Sequence, residues 1–404
     1  MGLNGRLITG NPRLIRRINS SVILDLLRER GPLSRIQISA ITGLSFPSVS
    51  RTVSELLESG MVTELGLGES SGGRRPRLLA FNARAGYVVG AEVTRTQIRV
   101  GLTDLMGHPL HTQSLPSRSP RQAAEVEEEL HDAVEAMLHA AQVRREDLVG
   151  IGIGVPGIVD PESGMVHWVP GLNWRDVPLA ADLEAQLGVP VVVENDVNLA
   201  LEGERWFGAA RGKKNAVFVL VGDGVGAALL LNGQLCRGKD NAAGEVGHWI
   251  VLANQVEGSP GGDGQLERLT ASAGIVRRWA ERSGLRGMDL GPDGSLITQL
   301  RNRMDHGDEA GKSVLDETAN WLGMAVANIV TLLNPEVVVL GGRVMGEFPQ
   351  LVDAIRSISG NVVPYGADIV LTQLEDRAVV LGGVHAVLYR ERASVTFLQT
   401  EERA

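Results

Sequence analysis

Apolar residues along 11–30 (NPRLIRRINSSVILDLLRER) recur at helical intervals, and the stretch predicts an amphipathic helix whose apolar positions run from Ile18 to Leu27. Residues 33–42 (LSRIQISAIT) predict a second, short helix, with Ser34 as its N-cap and Leu33, Ile36 and Ala40 at helical spacing. Gly43 ends it. Ser45 and Pro47 then start a third helix running to about Ser59, because proline suits a first helical turn and fixes its direction. Val49, Val53, Leu56 and Leu57 are its expected inward positions, while Ser48, Ser50, Arg51 and Ser54 lie on the other side. The following stretch, GMVTELGLGESSGGRRPRLLAF, has two strand-like runs around a loop containing Gly66, Gly68, Gly72 and Gly73. It predicts a β-hairpin.

Helix, turn, helix and hairpin in this order read as a winged helix-turn-helix. Ser48, Ser50, Arg51 and Ser54 are small enough or long enough to reach base edges and phosphates in a major groove. Arg74, Arg75 and Arg77 stand on the return strand of the wing, where arginine can enter a narrow minor groove or clamp phosphate. A solvated charged hairpin is the bland alternative, but it does not explain a helix-turn-helix and a wing in register. Charge separates this head from the rest of the chain. Residues 1–82 carry 11 Arg, no Lys and 6 acidic groups, a formal +5, whereas the other 322 residues sum to −14. Double-stranded DNA would repel the acidic part, so contact is expected at the head alone.

Beyond the head, the pattern changes to strands punctuated by glycine. Residues 87–110 predict a three-strand meander with turns at 94–96 and at Gly107; a helix over 121–142 and a buried strand over 149–160 follow. A second block repeats the logic: strands within 215–238, helices near 267–284 and 312–333, and a strand at 337–342. The chain of 404 residues is long enough for two or three domains, and its 50 glycines against 15 aromatics suit the tight strand-to-loop turns of α/β folds. Its one cysteine, Cys236, excludes an intrachain disulfide and fits a reducing compartment. No apolar run is long enough to span a bilayer and 1–20 lack a signal-peptide core, so the expected location is cytoplasmic, without membrane insertion.

Five segments together carry a family resemblance: ENDVNLALEGE (194–204), GDGVGAALLLNGQLCRG (222–238), GEVGH (244–248), QLERLTASAG (265–274) and LNPEVVVLGG (333–342). In that order and spacing the chain resembles the ROK family of repressors, open reading frames and sugar kinases, and its head resembles the repressor branch. The resemblance implies an α/β fold: an N-terminal winged helix-turn-helix over 1–82, then a bilobal, ribonuclease-H-like (actin-like ATPase and sugar kinase) body. The lobes are expected at 83–200 and 201–404, with the C-terminal segment returning to the first. It also implies sugar contacts at Asn195, Asp196, Glu245, His248 and Glu267, and at Asn173 in the PGLNW loop. Asn195 and Asp196 follow the strand VPVVVE, at the end of a strand where α/β folds place ligand contacts. As an alternative role, Asp196 could be a turn-capping carboxylate and His248 merely structural.

Departures from the family pattern decide the expected activity. Where family kinases have Asp-x-Gly-Gly-Thr, whose bare backbone cradles phosphate, this chain has Glu92-Val93-Thr94-Arg95-Thr96. Where they have Gly-Thr-Gly it has Gly222-Asp223-Gly224, and a carboxylate repels a triphosphate. Gly341-Gly342-Arg343 still resembles the adenosine-side loop. The cysteines that hold zinc in relatives are replaced by Gly258, Pro260 and Gln265, so His248 is left without the four ligands a structural zinc needs. The expectation is a non-catalytic repressor without cofactor or metal, a homodimer or dimer of dimers that responds to a small sugar. A sugar kinase carrying a DNA-binding head and a constitutive DNA-binding protein remain the alternatives.

Overall fold

The computed structural model describes residues 12–67, 75–116, 122–251, 264–284 and 295–394. The head comprises α1 (Pro12–Arg30), β1 (Leu33–Ser34), α2 (Arg35–Thr42), α3 (Phe46–Glu58), β2 (Val62–Leu67) and β3 (Arg77–Phe81). Its sheet has the order β1-β3-β2. Ser34 caps α2 through a capping box with Gln37, and Gly43 ends that helix at φ 72°, in the left-handed region that glycine tolerates. Ile23, Leu26, Leu27, Ile38, Val49, Val53, Leu56, Val62 and Leu79 close one small core.

Two periodicities differ from expectation. Leu33 is extended and pairs with Leu79, Ile36 is 66% exposed, and Ile38 is the buried residue of α2. The N-cap must be non-helical, so the helix starts at Arg35 and its inward face is Ile38 rather than Leu33, Ile36 and Ala40. On α1, Ile18 is 53% exposed, whereas Ile23, Leu26 and Leu27 pack beneath α3.

The body is built on two five-stranded sheets. The first contains β4 (Tyr87–Val93), β5 (Gln97–Asp104), β6 (Pro109–Pro116), β7 (Leu148–Val155) and, further along the chain, β11 (Val191–Asn195), in the order β11-β7-β4-β5-β6. α4 (Ala123–Ala141) covers it. The expected strand at 149–160 is broken: after β7, Pro156 and Gly157 (φ 94°) turn the chain, and β8 (Ile158–Asp160) joins a small sheet with β9 (Met165–Val169) and β10 (Trp174–Val177). Proline supplies no ladder N–H, which explains the break. α5 (Leu179–Leu187) then leads to β11, and α6 (Asp196–Phe207) follows it directly.

The second sheet has the order β14-β13-β12-β15-β16, from β12 (Ala216–Val221), β13 (Val225–Leu231), β14 (Gln234–Leu235), β15 (Val337–Gly341) and β16 (Asp368–Leu371). Around it lie α7 (Gln265–Thr270), α8 (Ser272–Arg282), α9 (Ser295–Met304), α10 (Glu309–Leu333), α11 (Arg343–Glu347) and α12 (Leu351–Val362). The expected single helix near 267–284 is interrupted at Ala271, which is extended, because Ser272 docks on Gly222: its N and Oγ donate to the Gly222 carbonyl at 2.8 and 2.9 Å.

The chain ends by crossing back. α13 (Ala378–Ser394) packs against α6, β4 and β7. Gly382 and Gly383 make this possible, since a Cβ on Gly382 would overlap the Leu199 carbonyl and one on Gly383 would reach to 2.5 Å from that of Gly152. Toward its far end Val384 and Val387 share a core with Val88 and Leu105, against which Met61 and Phe81 of the head are packed. Glu204, fully buried, ties the two chain segments that run between the sheets. It accepts from Ala209 N at 2.6 Å in one, and from Thr372 Oγ1, Gln373 N and Leu374 N in the other.

Candidate effector cleft and nucleic-acid interface

β11 runs straight into α6, so the residues at their junction emerge at a strand's carboxyl end beside a helix N-terminus. Asn195 is the N-cap: its Oδ1 accepts from Val197 N and Asn198 N at 3.0 and 3.1 Å, and its Nδ2 donates to the Gly157 carbonyl at 2.9 Å. Both ends of this amide are therefore engaged in holding the junction. Asp196 is buried, and its Oδ1 accepts from Val197 N at 2.9 Å. Burial, followed by the negative charges of Glu92 and Glu245, pushes its carboxyl up to about 7. The helix dipole that favours the anion is outweighed here by desolvation.

Glu245 and His248 bracket a short 3-10 turn with exposed side chains; loss of water around its carboxyl raises Glu245 above its ordinary range, and the neighbouring His248 only partly opposes this. Glu267, on α7, accepts from Val225 N through Oε2 at 2.8 Å and lies against Gly224 and Gly247, so it joins the 222–225 and 244–248 loops. Asn173 is exposed in the left-handed region (φ 55°) at the end of a 3-10 turn. Its loop reaches the second sheet through Arg95. The arginine stem lies over Gly171, and Nη2 donates to the Asp223 carbonyl at 3.0 Å.

Glu92, Glu194 and Arg237 lie within the quoted segments, but their pairings give no sign of themselves in the sequence. Glu92 is buried on β4 and paired with Arg99, which also reaches Asp376 at 3.4 Å. Burial holds the Glu92 carboxyl above its ordinary range despite that arginine. Glu194 receives Nε and Nη2 of Arg237 at 2.9 and 2.7 Å, a forked bond between the strand end of the first sheet and the segment after β14. An acidic residue ending an apolar strand was the available signal for Glu194; its partner lies 43 residues away and leaves none.

Of the residues considered for zinc, Gly258 and Pro260 lie outside the described residues. Gln265 is buried and its Oε1 accepts from Val251 N at 2.5 Å. Among the described residues no group of three or more His, Cys, Asp or Glu could hold a metal ion, and no helix is long and apolar enough to cross a membrane.

On the head, α3 begins at Ser45, whose side chain accepts from Ser48 N. Arg51 and Ser54 are exposed and Ser48 and Ser50 half-exposed, on the side opposite Val49, Val53 and Leu56. Ser54 Oγ donates to the Ser50 carbonyl at 3.0 Å. Arg75 and Arg77 are exposed, and Arg77 Nη1 is paired with Glu64 at 2.5 Å. Arg74 lies outside the described residues.

A winged helix joined to a body of two five-stranded sheets defines a DNA-binding head on a sugar-kinase-like scaffold. The chain belongs to the ROK family, which it matches over residues 88–389, and residues 17–63 match a winged helix-turn-helix DNA-binding domain. It is 30% identical over 388 residues to a xylose repressor of Caldicellulosiruptor bescii, covering 94% of this chain and 97% of the relative. It is also 31% identical over 328 residues to a glucokinase of Halalkalibacterium halodurans, covering 78% of this chain and 99% of the enzyme. A ROK family transcriptional regulator, a homologue of the E. coli MLC protein, has the same fold, with a TM-score of 0.78 at 23% identity over 95% of this chain and 98% of its own.

Proposed function

We propose that the protein is a sugar-responsive transcriptional repressor in which the head binds double-stranded operator DNA and the cleft binds a small sugar. On this reading the head spans 1–82 and the lobes 83–200 and 201–404, with α13 returning to the first lobe. Asp196, Glu245, His248 and Glu267 line the sugar site and Asn173 closes over it; Asn195 acts by fixing the junction that presents Asp196. Ser48, Ser50, Arg51 and Ser54 face the major groove, with Arg74, Arg75 and Arg77 on the wing. The protein works as a homodimer in the cytoplasm, since two heads suit a palindromic operator.

The observation that carries the repressor reading over the kinase one is Arg95. Its guanidinium spans from the 170–173 loop to the Asp223 carbonyl, across the two loops that correspond to the phosphate loops of the family's kinases. A side chain there competes with a nucleotide for the same space, and Asp223 adds repulsion. Incubation with ATP, magnesium and a panel of sugars is expected to yield no sugar phosphate above background. Turnover abolished by Asp196→Asn would establish the kinase instead.

A further inference from the structure

Resting on that reading of the head, we propose that Phe46 helps to choose the operator by packing on the 5-methyl group of a thymine in the major groove. Phe46 is the first residue of α3, directly after its N-cap Ser45, and it is 50% exposed although α3 buries Val49, Thr52, Val53 and Leu56. Pro47 beside it is exposed as well, and Arg51 follows one turn further on. In a helix-turn-helix the N-terminal residues of the reading helix meet the base edges, so α3 leads with an aromatic ring and a proline. Charge favours the same end. The first turn of α3 holds no acidic residue, whereas Glu55 and Glu58 are exposed toward its other end, where phosphate would repel them.

The neighbouring serines narrow what is left to read bases. The Ser45 and Ser48 hydroxyls bond each other at 2.9 Å, and Ser54 Oγ donates to the Ser50 carbonyl at 3.0 Å. Three hydroxyls are thus engaged within the helix and its cap. A phenyl ring has no hydrogen-bonding group with which to read the donors and acceptors of the base edges. The apolar group that those edges present in the major groove is the thymine methyl. Covering it takes apolar surface of both ring and methyl out of water, and this is the discrimination a ring at the head of α3 can offer. Arg51, one turn on, supplies the charge that holds the helix against the duplex.

The test uses a duplex selected from a random-sequence pool by the full chain, with its thymines replaced one at a time by deoxyuridine, which lacks only the methyl. Gel-shift titrations without added sugar compare the parent with Phe46→Ala, Phe46→Leu and Arg51→Ala. In the parent, deoxyuridine at one position of each half-site should weaken binding by about fourfold per half-site, the scale of one buried methyl. Phe46→Ala should bind the thymine duplex more weakly than the parent does and bind the two duplexes equally, with an unchanged melting curve because the ring is half exposed. Phe46→Leu keeps an apolar side chain and should keep part of the difference. Arg51→Ala should weaken both duplexes and leave their ratio unchanged. A parent indifferent to every deoxyuridine, or a loss that survives undiminished in Phe46→Ala, overturns the inference while leaving operator binding by the head intact. Full affinity of Phe46→Ala for the thymine duplex overturns it too, and would leave the ring to a protein partner. If no duplex is enriched, the operator reading itself fails and the inference falls with it.

Discussion

Asp196 is a buried carboxyl beside two others, and its folded-state pKa of about 7 lies well above the ordinary 3.8. The folded protein therefore holds this proton more tightly than the unfolded chain does. The stabilisation is fully present below pH 3.8 and is lost as pH rises through about 7. Asp196→Asn, which removes the titration, should lose less stability than the parent between pH 5 and pH 8. Melting curves at the two pH values check this; parallel losses in both proteins would mean that Asp196 stays ionised throughout. Glu267→Ala should carry a double cost through lost hydrogen bonds. The Val225 N–H loses its acceptor, about 1–3 kcal/mol if left unsatisfied, and a sugar acceptor is lost with it.

Among the elements, the two segments that run between the sheets and α3 each give a prediction. Glu204 accepts from both segments that run between the sheets, so Glu204→Ala should lower the melting temperature by removing the acceptor shared by the part-buried Ala209 and Gln373 N–H groups and the buried Leu374 N–H. A change within error would show that the two segments are held by other contacts. On α3, Arg51→Ala should weaken operator binding and reduce the slope of log affinity against log salt by about one unit, leaving the melting curve of the body unchanged. An unaltered gel-shift titration would remove Arg51 from the interface.

The head's elements were legible because caps and glycines are local signals: Ser34, Gly43, Ser45 and Pro47 bound α2 and α3 where the residue pattern places them. What was not legible depended on distant partners. Ile36 looks like a core position until the pairing of Leu33 with Leu79 fixes where the helix starts. The break at Ala271 depends on Gly222, 49 residues earlier in the chain. For the sugar site, the family segments are what single out Asp196, Glu245 and Glu267 as proposed contacts. Arg95 could be read as a lost phosphate loop but not as a bridge, because its acceptor is the Asp223 backbone, which no side-chain pattern reveals.

Across the whole molecule, α13 connects the parts on which regulation would depend. It begins beside α6, just after the segment that follows β16, lies on the first sheet with its glycines against β7 and α6, and ends in the core shared with Met61 and Phe81 of the head. A sugar that favours one arrangement of the cleft could reach the head through this helix, but only to the extent of its differential affinity for the two arrangements. On the proposed function, sugar bound at Asp196 releases the head from DNA. The most direct measurement is operator release by the binding sugar, followed by fluorescence anisotropy, in the parent protein and in Asp196→Ala. The two proteins should bind operator equally without sugar, and the variant should need roughly tenfold more sugar, or beyond, for release, equivalent to the loss of one buried hydrogen-bond partner. Release of both proteins at the same sugar concentration would contradict it.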